Sequence, residues 1–103
     1  LGEPIVIAPE GELDIASIGA FRDALLQAGA ETSTVVVVDL SSISFIDSSG
    51  LGALVDFHHR LRRKSRRLAV VAPDGTAAAL LLNLSGLQGR MPTFSTRESA
   101  LAT

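Results

Sequence analysis

Asp47-Ser48-Ser49-Gly50, running on into Leu51-Gly52, is the stretch whose residue types could do chemistry. An acid beside two hydroxyls could serve a nucleophile, and paired glycines could cradle an anion. A serine could take a phosphate, or Asp and Ser could simply cap a helix. The spacing of other groups removes two of these uses. His58 and His59 are the only imidazoles in the chain. Nine residues part Ser49 from His58, roughly 13–14 Å along one helix, whereas a general base must come within about 3 Å of the hydroxyl. The G-x-S-x-G elbow is also missing, because Asp47 stands where its first glycine would be. No catalytic residue is assigned, and a hydrolase is not expected. Gly50-Leu51-Gly52 supplies half of G-x-G-x-x-G, but Val55 occupies the last glycine's place, and no phosphate-binding G-x-x-x-x-G-K-[ST] loop exists. No nucleotide or other cofactor is expected.

Metal chemistry has little to work with. The chain has no cysteine, and adjacent histidines point in different directions on a helix. Even brought together, Asp14 and Asp47 would make a weak cation site, because two carboxylates alone bind a divalent ion poorly. What survives is a helix cap, the commoner use of these residue types, or a modified serine. A helix N-terminus tolerates a phosphate, and the added charge would repel a partner fitted to the unmodified tip without refolding anything.

The elements that must position this stretch are readable from periodicity. Ile5-Val6-Ile7-Ala8 is a short strand candidate, and Leu13 and Ile15 flank Asp14 in a second. From Ser17, Ile18, Phe21, Leu25 and Ala28 recur at helical steps as far as Gly29. Val35-Val36-Val37-Val38 carries no polar alternation and reads as a strand buried on both faces. Leu51, Leu54, Val55, His58 and Leu61 mark a second helix, with His58 in its apolar stripe and His59 on a more polar face. Leu68-Ala69-Val70-Val71 is another buried strand. Thr76 is placed to cap a third helix over residues 77–84, with Gly86 placed to stop it. Residues 91–94 form a weak strand that Pro92 keeps from the sheet centre. Ser95-Thr96-Arg97-Glu98 fits a capping box for a last helix. Strands alternating with helices predict one α/β domain with a largely parallel sheet and four helices. The tip then falls at a helix start beyond the central strand, where parallel sheets gather functional groups.

At 103 residues the chain is a single domain with 47% apolar residues and four Phe as its only aromatics. Its longest apolar runs, residues 35–38 and 77–82, are far short of the ~20 residues of a membrane span. No charged-then-apolar leader opens the sequence, which begins at Leu1, so no secretory signal is expected. The lack of cysteine is compatible with a reducing cytoplasm. Net charge is −2, unevenly placed. Residues 1–56 hold nine acids against Arg22 alone, and residues 57–103 hold eight bases against Asp74 and Glu98. Arg60, Arg62, Arg63, Lys64, Arg66 and Arg67 cluster at the end of the second helix. With no aromatic interleaved for stacking, they read as a solvated helix end favoured by the helix dipole, not as a nucleic-acid site.

Four stretches together resemble one family. FIDSSGLGAL is similar to the signature of the STAS domain, and most of all to stand-alone bacterial anti-sigma factor antagonists. GELDIASIGAFRDAL, VVVVDLSSISFID and LLNLSGL agree in order and spacing over nearly the whole chain. The resemblance implies a small, mostly parallel sheet whose first strand is antiparallel, flanked by helices. It implies a non-enzymatic, cytoplasmic binding protein. Unphosphorylated antagonists capture an anti-sigma factor that is also a serine kinase, which frees the sigma factor for transcription. Phosphorylation on the second serine of D-S-S-G ends the capture, and a serine phosphatase would restore it. Carried over, Ser49 is the phosphoacceptor, Asp14 and Asp47 are its acidic neighbours, and Ser48, Gly50, Leu51 and Gly52 complete the recognition tip. Two departures are Ile15-Ala16, where relatives often carry polar or histidine residues, and the density of the basic cluster. The alternative is a STAS binding module of a transporter, stressosome or lipid-transport system that does not use phospho-switching.

Overall fold

The computed structural model describes residues 3–102. In chain order the elements are β1 (Ile5–Ile7), β2 (Gly11–Leu13), α1 (Ile18–Ala30), β3 (Val35–Asp39), β4 (Ile43–Ile46), α2 (Ser48–Arg63), β5 (Arg67–Val71), α3 (Ala77–Leu84), a 3-10 turn (Leu87–Gly89), β6 (Thr93–Phe94) and α4 (Arg97–Ala102). The four valines that open β3 leave that strand without a polar face, and both faces are covered. Val36 and Val38 meet Leu68 and Val70 on one side of the sheet, while Val35 and Val37 meet Ala69 and Val71 on the other. Alternation of side chains along each strand makes this division. Phe21, Leu25 and Ala28 of α1 and Leu54, Phe57 and Leu61 of α2 fill the first side. Ala100 of α4 and the half-buried Phe94 close the second.

The main sheet runs β1-β3-β5-β6, and every ladder in it is parallel. The expected antiparallel first strand is therefore corrected: Ile5, Val6 and Ile7 lie opposite Val36, Val37 and Val38 in parallel register. The physical reason is the crossover, since α1 carries the chain back across the sheet before β3 begins. β6 takes the edge, as Pro92 requires. Residues 43–46 hold a strand that periodicity did not show. There β4 pairs in parallel with β2 in a separate two-stranded ribbon, Glu12 opposite Phe45 and Leu13 opposite Ile46. Ile15 lies outside β2 and is 79% exposed. The last helix is capped one residue later than the box predicted, with the Ser99 N–H donating to Thr96 Oγ1 at 3.1 Å. Thr76 caps α3 as expected, accepting from the Ala79 N–H at 3.2 Å.

Candidate functional site

The ribbon of β2 and β4 builds the site. Because Leu13 is opposite Ile46, the residues that follow them, Asp14 and Asp47, leave the ribbon side by side. The Asp47 N–H donates to the Leu13 carbonyl at 3.1 Å, continuing the ladder one step further. At that point the chain turns into α2, with Asp47 as its N-cap in an extended conformation. Its Oδ1 accepts from the Ser49 N–H at 2.8 Å and from the Gly50 N–H at 3.4 Å. Such a cap satisfies helix-end donors that would otherwise go unpaired, worth about 1 kcal/mol.

Asp14 is held in a turn of its own. Its Oδ1 accepts from the N–H groups of Ala16 and Ser17, each at 3.0 Å. The Ser17 hydroxyl donates to the Glu12 carbonyl at 2.6 Å, which ties the turn back to β2. Both carboxylates thus sit at fixed places flanking the start of α2, half-buried. Among the described residues no group of three or more His, Cys, Asp or Glu could hold a metal ion.

Ser48 is exposed and Ser49 half-buried, and neither hydroxyl is spent on a hydrogen bond among the described residues. Both are free to react or to be read by a partner. Gly50 and Leu51 are not at the surface. Leu51 is 9% exposed and belongs to the main core, so it anchors the tip from beneath. Gly50 is pressed against the ribbon: a Cβ there would lie 2.7 Å from Ile46 Cγ1 and 3.3 Å from the Leu13 carbonyl oxygen. Only glycine lets α2 approach β2 and β4 this closely. Gly52, in contrast, has nothing within 4 Å of where a Cβ would stand. Ile15 and Phe45, the latter 47% exposed, add apolar surface on the turn and ribbon.

Two structural roles escaped the sequence reading. Arg66 is drawn out of the basic cluster and folded onto the end of α1. Its guanidinium donates to the carbonyls of Ala28 (3.0 Å), Gly29 (2.8 Å) and Ser33 (2.6 Å), and Lys64 Nζ donates to Gly29 at 3.0 Å. Asp39, 6% exposed at the end of β3, takes a 2.6 Å ion pair from Arg97 Nε. Burial pushes its carboxyl pKa up, but hydrogen bonds from Ser41 and Arg97 outweigh this and hold it below its ordinary value. His58 is packed as expected, 7% exposed, and His59 is exposed. Desolvation, with His59 and Arg62 nearby, lowers the His58 pKa against an opposing hydrogen bond with the Arg90 backbone.

The structure is thus a small parallel α/β sheet with an acid-flanked, hydroxyl-bearing start to its second helix. The chain belongs to the STAS domain family, whose profile matches residues 1–100. The anti-sigma-F factor antagonist RsfB of Mycobacterium tuberculosis is 31% identical over 96 residues, which span 93% of this chain and 77% of that protein. The crystal structure of an anti-sigma factor antagonist from Mycobacterium paratuberculosis superposes with a TM-score of 0.86 at 30% identity, covering 94% of this chain and 81% of that one. The anti-sigma factor antagonist SpoIIAA in its unphosphorylated form shares the fold, with a TM-score of 0.71 at 23% identity, covering 97% of this chain and 87% of that one. No helix among the described residues is long and apolar enough to cross a membrane.

Proposed function

We propose that this protein is an anti-sigma factor antagonist that captures a cognate anti-sigma factor with serine kinase activity and is released when Ser49 is phosphorylated. The observation that carries the reading is the capped start of α2. There Asp47 occupies the backbone donors, and the hydroxyls of Ser48 and Ser49 are left without intramolecular partners. Likeness to antagonists at 30–31% identity over most of the chain supports the choice of partner. The second serine of the D-S-S-G motif supports Ser49 over the more exposed Ser48.

In this reading the tip binds its partner through Ser48, Ser49 and the open surface over Gly52, with Asp14 and Asp47 alongside. Gly50 and Leu51 hold the helix start at its height above the ribbon. Phosphoryl transfer from ATP to Ser49 Oγ adds a charge of about −1.5 to −2. Asp47 already receives the Ser49 N–H, so the phosphate and the cap carboxylate share one small region. Repulsion there, and the cost of desolvating a dianion at the interface, weaken capture without unfolding α2. The regulated output is transcription by the released sigma factor, in the cytoplasm, with a serine phosphatase resetting the switch.

The test is incubation with candidate kinase anti-sigma factors and ATP, followed by mass mapping of the phosphate and titration of the partner. Label on Ser49, absent from Ser49→Ala, and weakened capture by Ser49→Asp are the expected results. Label confined to Ser48, or full-strength binding by Ser49→Asp, would overturn the switch.

A further inference from the structure

A groove runs between the second half of α2 and the segment 87–91. Val55, His58, His59 and Arg62 face it from α2, and Leu87, Arg90 and Met91 from the other wall. Its volume is about 340 Å³, within the range of small-molecule sites. The chemistry of the two walls is divided. Val55, Leu87 and Met91 give an apolar lining, while the exposed Arg62 and Arg90 add one cationic residue to each wall.

Among the described residues no carboxylate lines this groove. The other arginines with defined roles are used differently: Arg97 is paired with Asp39, and Arg66 is bonded to the end of α1. Arg62 and Arg90 make no ion pair among the described residues. Two cationic residues bordering one groove, with no carboxylate among its described lining, favour a negative group between them. His58, on the α2 wall, also holds an unmet polar atom. His58 Nδ1 is buried and has no hydrogen-bond partner among the described residues.

We propose that this groove binds a small organic anion with an apolar body. Its carboxylate or phosphate head would lie between Arg62 and Arg90, and its aliphatic part would cover Val55, Leu87 and Met91. Guanidinium groups suit such heads because their planar donor sets match two oxygens at once. A bare inorganic anion would leave the apolar wall exposed, and a neutral chain would leave the two cations unpaired. The chemistry therefore asks for both parts in one molecule, for which a medium-chain carboxylate is the simplest case.

The experiment is titration of the ¹⁵N-labelled protein with octanoate, read by amide shifts, with octan-1-ol and inorganic phosphate as the two half-ligands. Saturable shifts at Val55, His58, Leu87, Arg90 and Met91 are expected, with both half-ligands weaker by about tenfold or more, which is ~1.4 kcal/mol. Replacing Arg62→Ala together with Arg90→Ala should weaken octanoate by a similar factor. The pair Arg60→Ala and Arg63→Ala removes equal charge from the same helix end and should leave binding intact. Octan-1-ol binding as well as octanoate, equal losses from the two double variants, or shifts that spread without saturating would each overturn the proposal.

Discussion

Gly50 and Gly52 stand two residues apart on one helix, yet their surroundings give them opposite roles. A methyl group at position 50 would strike Ile46 and approach the Leu13 carbonyl, which is backbone and cannot swing aside. Gly50→Ala should therefore lift the start of α2 off the ribbon and cost about 1–3 kcal/mol, as overpacking does. Position 52 is open, and alanine is the better helix former there by about 0.5–1 kcal/mol. Gly52→Ala should leave the fold at least as stable as the parent, but it places a methyl group on the surface proposed to meet the partner. Urea denaturation of both variants, set beside capture of the anti-sigma factor, separates the roles. A Gly52→Ala protein that is stable and binds with undiminished strength would remove that face from the interface. The D-S-S-G-L-G spacing was legible as a unit in the sequence. Its division into surface and support was not, because it depends on the ribbon beneath, and β4 was not foreseen.

At the scale of elements, what the sequence showed and what it hid both follow from how each element is buried. The 35–38 run announces β3 because burial on both faces removes polar alternation altogether. β4 has the opposite character: Ile43 and Ile46 are buried while Ser44 and Phe45 between them are exposed, a pattern with no period of two. It pairs only with β2, whose three residues are too short to carry a pattern of their own. The basic cluster likewise read as a solvated helix end, because nothing local marks Arg66 as different from its neighbours. Its role comes from the turn that ends α2. The Arg66 N–H donates to Leu61 at 2.8 Å and the Ser65 N–H to Arg62 at 3.0 Å, with Ser65 at φ 56°. This is a Schellman ending with serine in the left-handed position that usually takes glycine. It swings Arg66 away from α2 and toward the carbonyls at the end of α1. A side chain in that conformation costs about 1–2 kcal/mol, so Ser65→Gly should stabilise the protein, with the greater backbone entropy of glycine in the unfolded chain taking back part of the gain. A raised melting temperature is the expected result. An unchanged or lower one would mean that Ser65 carries no strain at this turn.

Over the whole molecule, folding cancels part of the charge asymmetry of the sequence and preserves the rest. Arg97 from the basic half pairs with Asp39 from the acidic half, and Arg66 neutralises the end of α1. Along α2 the separation persists, with Asp47 at one end and Arg62 and Arg63 at the other, about 24 Å apart at 1.5 Å per residue. The same arrangement sets how stability responds to pH. His58 has a folded pKa below its ordinary 6.5, chiefly through desolvation, with His59 and Arg62 adding to it. As pH falls through about 6.5 the unfolded chain takes up this proton before the folded one does, so stability declines until the folded pKa is passed. Asp39 acts in a lower window: its contribution is intact above its ordinary 3.8 and is lost as pH falls through its lowered folded value. Urea midpoints measured from pH 8 to pH 3 should accordingly be level at first, decline below about 6.5 and fall again below about 4. His58→Leu fills the same space without a titrating group, so it should flatten the upper decline and leave the acid limb in place. If the upper decline survives in His58→Leu, buried His58 is not its source.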